Sequence, residues 1–249
     1  MRYVKSLAKT IAPRFYERLS QFKQHYITHF ATKSYAQEGE DILLARIFEG
    51  ISATSKFYVD IGAHHPYRFS NTYLFYKRGW RGINVDAMPG IKKVFDTTRP
   101  RDITLECGIA SKRDWGGADH FMTYYMFNEP ALNGFAKELA HKYDTHPTHH
   151  LIATKTIPIY TLKEILDSNL PQGISIDFLS VDAEGLDFDI LSSNDWEMYR
   201  PKIILAESYH RDMTTISTNP IYTLLQEQGY TLIAKTFNTL FFAQNTFLK

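Results

Sequence analysis

From Ser34 onward the chain alternates between short runs of β-branched, aromatic and aliphatic residues and stretches with helical periodicity. Residues 38–48 are predicted to be a helix with acids in its first turn, where they suit the helix dipole. Residues 57–62 (Phe-Tyr-Val-Asp-Ile-Gly) form a β-rich run ending in glycine, and a helix follows from Ser70 or Asn71 to Lys77. Residues 82–86 are the second strand, Pro89 opens the next helix, and 103–107 supply a third strand. Further on, 161–168, 186–191 and 221–228 read as helices, and 176–181 and 202–206 as buried strands. The tail, 230–235 and 239–243 joined by Phe237-Asn238, reads as a hairpin. Strands alternating with helices imply a doubly wound α/β architecture: a mostly parallel sheet covered on both faces, to which the hairpin adds one antiparallel strand.

Two segments depart from this rhythm. Between residues 111 and 160 lie Trp115-Gly116-Gly117, an aromatic run at 121–127 and a stretch holding His141, His146, His149 and His150. It reads as an insertion carrying strand segments over the site, with its histidines in a surface loop and its aromatics engaged in packing. Residues 1–33 form the other segment. Val4, Leu7, Ile11, Phe15, Leu19, Phe22, Tyr26 and Phe30 recur there at helical spacing, with Ala12-Pro13 as a break and restart. These residues are expected to be a basic, amphipathic helical arm, with 34–249 as the main domain.

Composition narrows the function classes. With 44% hydrophobic and 22% charged residues the chain has ample material for one globular core. A net charge of +1 gives no overall field for nucleic acid, so no nucleic-acid partner is expected. The charge is uneven, however: the arm carries seven Lys/Arg against Glu17 alone. A helix packed on the domain with a solvated basic face is the simpler reading of the arm, and weak contact with a membrane surface or a partner is the alternative. No run approaches the roughly 20 apolar residues of a membrane span. Cys107 is the only cysteine, which excludes an internal disulfide and fits a cytoplasmic location; it reads as a small buried hydrophobe.

In doubly wound sheets ligands bind beyond the carboxyl ends of the strands, and those positions are polar here. They hold Asp60-Ile61-Gly62-Ala63-His64-His65, Asp86, Glu106-Cys107-Gly108, Asp182-Ala183-Glu184-Gly185 and Glu207-Ser208-Tyr209-His210. An acid ending the second strand is placed to accept hydrogen bonds from ribose hydroxyls, which is the position of Asp86. A dinucleotide site would also need glycines where His64 and Tyr67 stand, so the diphosphate cradle is missing. A nucleoside without phosphates, such as S-adenosylmethionine, does not need that cradle.

Taken together, Ser34-Tyr35-Ala36-Gln37-Glu38-Gly39-Glu40-Asp41, the run from Phe57 to Pro66, Phe69-Ser70-Asn71-Thr72-Tyr73, the run from Gly79 to Asp86, and the run from Leu179 to Gly185 resemble the FkbM family of methyltransferases. The resemblance extends over roughly residues 34–243 and leaves out the arm. It implies a class I (Rossmann-like) S-adenosylmethionine fold, with a seven-stranded sheet and one antiparallel strand, and methylation of a hydroxyl on a sugar, polysaccharide or secondary-metabolite acceptor. By the same resemblance, Asp60, Gly62 and Ala63 match the cofactor turn, with Asp60 helping to hold the methionyl ammonium. Asp86 matches the ribose acid, Glu106 lies near the adenine, and Asp182, Glu184 and Gly185 match a D-x-E-G segment facing the transferring methyl group.

Methyl transfer from a sulfonium is an in-line displacement that needs the acceptor oxygen held opposite the sulfur. A sugar or alkyl hydroxyl also needs a group to take its proton, for which His65, His210 and Glu184 are candidates. A divalent metal held by Asp182 with Glu184 or Glu207 is the less favoured route. Two alternatives belong to other classes: a nicotinamide-dependent oxidoreductase on a related sheet, and a non-catalytic binding module. A bland reading of the acids also exists, with Asp60 and Asp182 capping the helices that follow them.

Overall fold

The computed structural model describes residues 13–50, 52–111, 120–135 and 148–247. Val4, Leu7, Ile11, Trp115-Gly116-Gly117, His141 and His146 lie outside the described residues. The chain divides into two compact units, Met1–Ser34 and Tyr35–Lys249. In the first, helix α1 (Pro13–Phe22) runs into a wider π-helical turn, Lys23–Thr28, which ends where His29 and Phe30 both adopt left-handed backbone. Proline at the first helical position costs little there, because that N–H has no intrahelical partner in any case.

The second unit contains α2 (Glu40–Gly50), β1 (Phe57–Ile61), α3 (Tyr73–Lys77), β2 (Arg81–Asp86), α4 (Ile91–Thr98) and β3 (Ile103–Glu106). Then come β4 (Gly108–Ile109), β5 (Phe121–Phe127), β6 (Leu151–Tyr160), α5 (Leu162–Asn169), β7 (Phe178–Val181) and α6 (Asp187–Ser192). The last elements are β8 (Ile203–Glu207), α7 (Pro220–Glu227), β9 (Tyr230–Lys235) and β10 (Thr239–Gln244). Seven strands form one sheet in the order β3-β2-β1-β7-β8-β10-β9. The pairings from β3 to β8 are parallel, whereas β10 runs antiparallel to both of its neighbours. This is the doubly wound sheet with one antiparallel strand that the alternating pattern implied. A smaller sheet, β4-β6-β5, is made by the segment read as an insertion and by two residues that continue from β3.

Strand alternation sorts the core into two layers. Phe57, Val59, Ile61, Leu179, Val181, Ile204 and Ala206 face one side, with Leu162, Ile165, Leu166 and Ile190 from the helices. Tyr58, Phe178, Ile203 and Leu205 face the other, with Leu44, Phe75 and Trp80. Strands buried on both faces read as nearly continuous apolar runs, which is why β1, β7 and β8 stand out in the sequence.

Several element ends differ from expectation, each for a local reason. The helix expected from residue 38 starts at Glu40, because Gly39 is left-handed (φ +89) and Glu38 instead holds the β9–β10 turn, accepting from Asn238 N and Nδ2 at 2.8 Å each. Pro89 does not open α4; Gly90 (φ +88) intervenes as N-cap. The third strand breaks at Cys107, where the chain turns into the small sheet. Helix α5 begins in a full capping box, with Thr161 and Glu164 each accepting the other's backbone N–H.

Candidate active site

Strand order reverses at β1, which lies between β2 and β7, so the crevice beyond their carboxyl ends is the expected ligand position. The chain is pinned tightly there. Gly62 N and Ala63 N donate to Val85 O at 2.9 and 3.1 Å, and Asp182 N donates to Ile61 O at 3.0 Å. Gly62 has φ +76, and a Cβ on it would stand 1.7 Å from the carbonyl oxygen of Asp182. Only glycine meets both the left-handed conformation and the close approach of the two strand ends.

A cleft enclosing about 840 Å³, part of it open to solvent, occupies this crevice. One wall is Gly62, His64 and Asp86 from the ends of β1 and β2, and a second is Asp182, Ala183 and Glu184 after β7. The small sheet and the turn after it supply the cover, through Tyr124, Asn133, Gly134 and Phe135. Ala87, Met88, Cys107, Gly108 and Ile109 make an apolar end. Among the described residues, the lining carries three carboxyl groups and no lysine or arginine.

The electrostatics follow from burial. Asp86 accepts from His64 N and Met88 N, both at 2.7 Å, yet burial outweighs these bonds and pushes its carboxyl up. Asp182 is driven well above the usual carboxylate range by burial and then by the neighbouring carboxylates of Glu207, Glu184, Asp60 and Glu40. Glu184 is likewise raised by burial, and Tyr209 donates its hydroxyl to Glu184 Oε2 at 3.4 Å. Glu184 also has left-handed backbone (φ +50), unusual for a residue with a side chain. Asp187 is pushed up to about 8 by burial and by Asp182.

Gly62, Asp86, Asp182 and Glu184 thus line one cleft, as expected. Five other residues singled out from the sequence, Asp60, Ala63, His65, Glu106 and His210, do not line it. Asp60 falls on the Tyr58 face of β1, so its carboxylate turns inward, accepting from Thr72 Oγ1 at 2.7 Å. Thr72 in turn accepts from Arg99 Nη2 at 3.0 Å, and Arg99 pairs with Asp102 at 2.8 Å, with both of those side chains buried. Burial still raises Asp60 to about 6. The Asp60 carboxylate thus belongs to a buried network behind the turn and does not line the cleft. Glu106 is exposed, and its carboxylate accepts from Gly90 N and Lys92 N at 2.9 and 3.3 Å. It caps α4, whose own N-cap is a glycine without a side chain.

Of the two adjacent histidines, His64 rather than the expected His65 lines the cleft. His65 Nδ1 accepts from Tyr67 N and Arg68 N, both at 3.1 Å, which holds its ring in the following turn. His64 lines the cleft, stacks on Phe69, and has a buried Nε2 without a hydrogen-bond partner. Its position was legible, but its side chain mattered in the sequence only as the loss of a glycine. His210 bonds Thr215 Oγ1 at 2.9 Å and lines a separate groove with Asp187, Glu207 and Tyr209. Ala63 is buried behind the turn against Ile91 and Phe95. Tyr124 was missed as a site residue, although alternation in the 121–127 run places it with Met122 and Met126 on one face. Cys107 is buried with its thiol pushed up to about 12, an unreactive group. Among the described residues no group of three or more His, Cys, Asp or Glu is arranged to hold a metal ion.

The methyltransferase FkbM domain matches residues 60–232, well over half of the chain. Among solved structures, a TehB-like SAM-dependent methyltransferase from Corynebacterium glutamicum is similar at 10% identity, with 93% of this chain and 99% of that chain covered and a TM-score of 0.40. An O-methyltransferase from Bacillus cereus in complex with SAH is similar at 12% identity, with 97% and 96% covered and a TM-score of 0.39. No curated protein matches the chain.

Proposed function

Because the chain belongs to the FkbM methyltransferase family and is thus an S-adenosylmethionine-dependent methyltransferase, we propose that it methylates a hydroxyl of a glycan or small-molecule acceptor, with Glu184 as the proton-accepting group. The observation that carries this reading is the cleft's mixture of groups: carboxyls from β2 and β7, no lysine or arginine among the described lining residues, and an apolar end. Such a lining suits a sulfonium, an ammonium and ribose hydroxyls, and it repels a diphosphate. The unpartnered Nε2 of His64 is a polar atom that awaits a ligand, which further supports the fit.

The bound cofactor supplies the electrophilic methyl group. The chain's own residues do the rest. Asp86 has lone pairs left after its two backbone bonds and accepts ribose hydroxyls. The apolar end around Met88, Ile109 and Tyr124 takes the adenine, in place of Glu106. Gly62 lets the backbone come close enough to seat the methionyl end, and Asp60 holds that turn rigid through Thr72 and Arg99. Asp182 presents its carboxyl toward the cationic centre. Glu184 lines the cleft and accepts a hydrogen bond from the hydroxyl of the exposed Tyr209. A carboxylate raised by burial is a stronger base than an exposed one, so it takes the hydroxyl proton at neutral pH more readily.

Incubation of the full chain with methyl-labelled cofactor and a panel of hydroxyl and amine acceptors tests the proposal by mass spectrometry. Label on oxygen, lost in Glu184→Gln with binding of the demethylated cofactor retained, supports it. Label on nitrogen alone refutes the hydroxyl reading. Binding without transfer to any acceptor supports a silent binding module instead.

A further inference from the structure

We propose that the arm is an interfacial anchor for an anionic lipid surface, a role independent of the methyl-transfer reading. Its helix α1 and the π-helical turn to Thr28 carry Phe15, Leu19, Phe22, Tyr26 and Ile27, and Phe30 follows; all six are exposed, each by more than half. At about 100° per residue, Phe15, Leu19 and Phe22 of α1 fall within one face roughly 60° wide, and Tyr26 in the wider turn that follows continues it, its ring against that of Phe22. Arg14 and Arg18 border that face on one side and Lys23 on the other, while Glu17, Ser20 and Gln24 lie opposite. Large exposed aromatics sit on the same stripe as the cationic flanks, and Phe22 and Tyr26 touch at 4.9 Å between ring centroids.

This distribution has the geometry of a helix lying in a bilayer interface. Aromatic and leucine side chains enter the boundary between headgroups and acyl chains. Arginine and lysine at the edges keep their stems apolar and their charged heads at the phosphates. The seven Lys/Arg against one acid within residues 1–33 select an anionic surface over a neutral one. A protein groove would also accept an apolar stripe, but a cationic border on both sides favours a surface of diffuse negative charge. A second copy of the arm would bring like charges together.

Flotation of the full chain with phosphatidylcholine vesicles, with and without about 30 mol% phosphatidylglycerol, tests this. The partition constant is expected to be at least tenfold higher on the anionic vesicles and to fall with added salt. Arg14→Glu/Arg18→Glu and Phe15→Ser/Phe22→Ser should each lower it about tenfold or more. Binding of the demethylated cofactor should be unchanged in both variants, which shows that the domain is folded. Equal binding to neutral vesicles, or binding untouched by charge reversal, overturns the proposal. So does a concentration-dependent dimer, lost in the Phe15/Phe22 variant, from a chain that ignores vesicles.

Discussion

Gly62 joins the fold to the site, and replacing it with alanine separates two costs that are usually mixed. The first is conformational: an L-residue held at φ +76 costs about 1–2 kcal/mol. The second is steric, because the new Cβ would lie 1.7 Å from the Asp182 oxygen and 2.7 Å from its carbonyl carbon. Both contacts are backbone, so no side chain can rotate away, and the ends of β1 and β7 must part at the rim. Forced overpacking of this kind costs about 1–3 kcal/mol. Gly90→Ala provides the control, since Gly90 has φ +88 and nothing within 4 Å of its added Cβ. Urea unfolding should therefore show Gly62→Ala losing about 3 kcal/mol and Gly90→Ala about 1–2 kcal/mol. In thermal unfolding the larger loss corresponds to roughly 6–12 °C for a chain of this size. Calorimetry with the demethylated cofactor should show Gly62→Ala weakened by about tenfold or more, because the Asp182 wall shifts, and Gly90→Ala close to wild type. Equal destabilisation by the two variants, with cofactor binding intact in Gly62→Ala, would refute the account of the strand ends.

Three further outcomes are expected. Glu184→Gln should lower kcat by about 100-fold or more while leaving cofactor affinity within about twofold, and should remove the acidic limb of the rate profile, which in wild type lies above the ordinary glutamate range. Asp86→Asn keeps the volume but sets an NH2 against one of two backbone donors; cofactor binding should weaken about tenfold, and stability should drop by about 1–3 kcal/mol. Stability should rise on going from about pH 8 to about pH 6.5. Asp187 is pushed up to about 8, so between the unfolded value near 3.8 and 8 the folded chain binds more protons than the unfolded one, and stability falls as pH rises through that window. His64 and His65, lowered first by burial, act in the opposite sense only below about 6.5, where the unfolded chain protonates them. Unfolding free energies from urea titrations should therefore change by about 1–2 kcal/mol over that interval, and Asp187→Asn should reduce the slope, with Glu207 and Asp182, raised by burial beside it, supplying the remainder.

The parts of this protein most legible in its sequence are those set by short-range patterns. Nearly continuous apolar runs located β1, β7 and β8, and Tyr230–Lys235 emerged with its observed limits because Gly229 and the Phe237-Asn238 turn bracket it. Helix starts were less legible. Whether a helix begins at 38 or 40, or at 89 or 91, depends on which glycine turns left-handed, and Glu38 was drawn off by a hairpin some 200 residues away. Long-range pairing decided side-chain roles in the same way. Nothing local distinguishes His64 from His65; the backbone at His64, left-handed and bonded to Asp86, sends one ring into the cleft and leaves the other to cap a turn.

The acids show this most clearly. Five strand ends carry a carboxylate, and local sequence does not say which of them face the cleft. Alternation along β1 turns Asp60 toward Thr72 and Ser180 rather than over the rim, where the Thr72 hydroxyl, the Arg99 guanidinium and the Ser180 hydroxyl support its charge against the burial that raises it to about 6. Asp182 and Glu184 lie beyond the last paired residue of β7, so alternation no longer governs them and both reach the cleft. Glu106 ends an edge strand beside a helix whose glycine N-cap offers no oxygen, and it is taken up by that helix. A carboxylate at a strand end thus faces the cleft, the interior or a neighbouring helix according to strand register and to which nearby donors are unsatisfied. For this chain, that rule separates Asp86, Asp182 and Glu184 from Asp60 and Glu106.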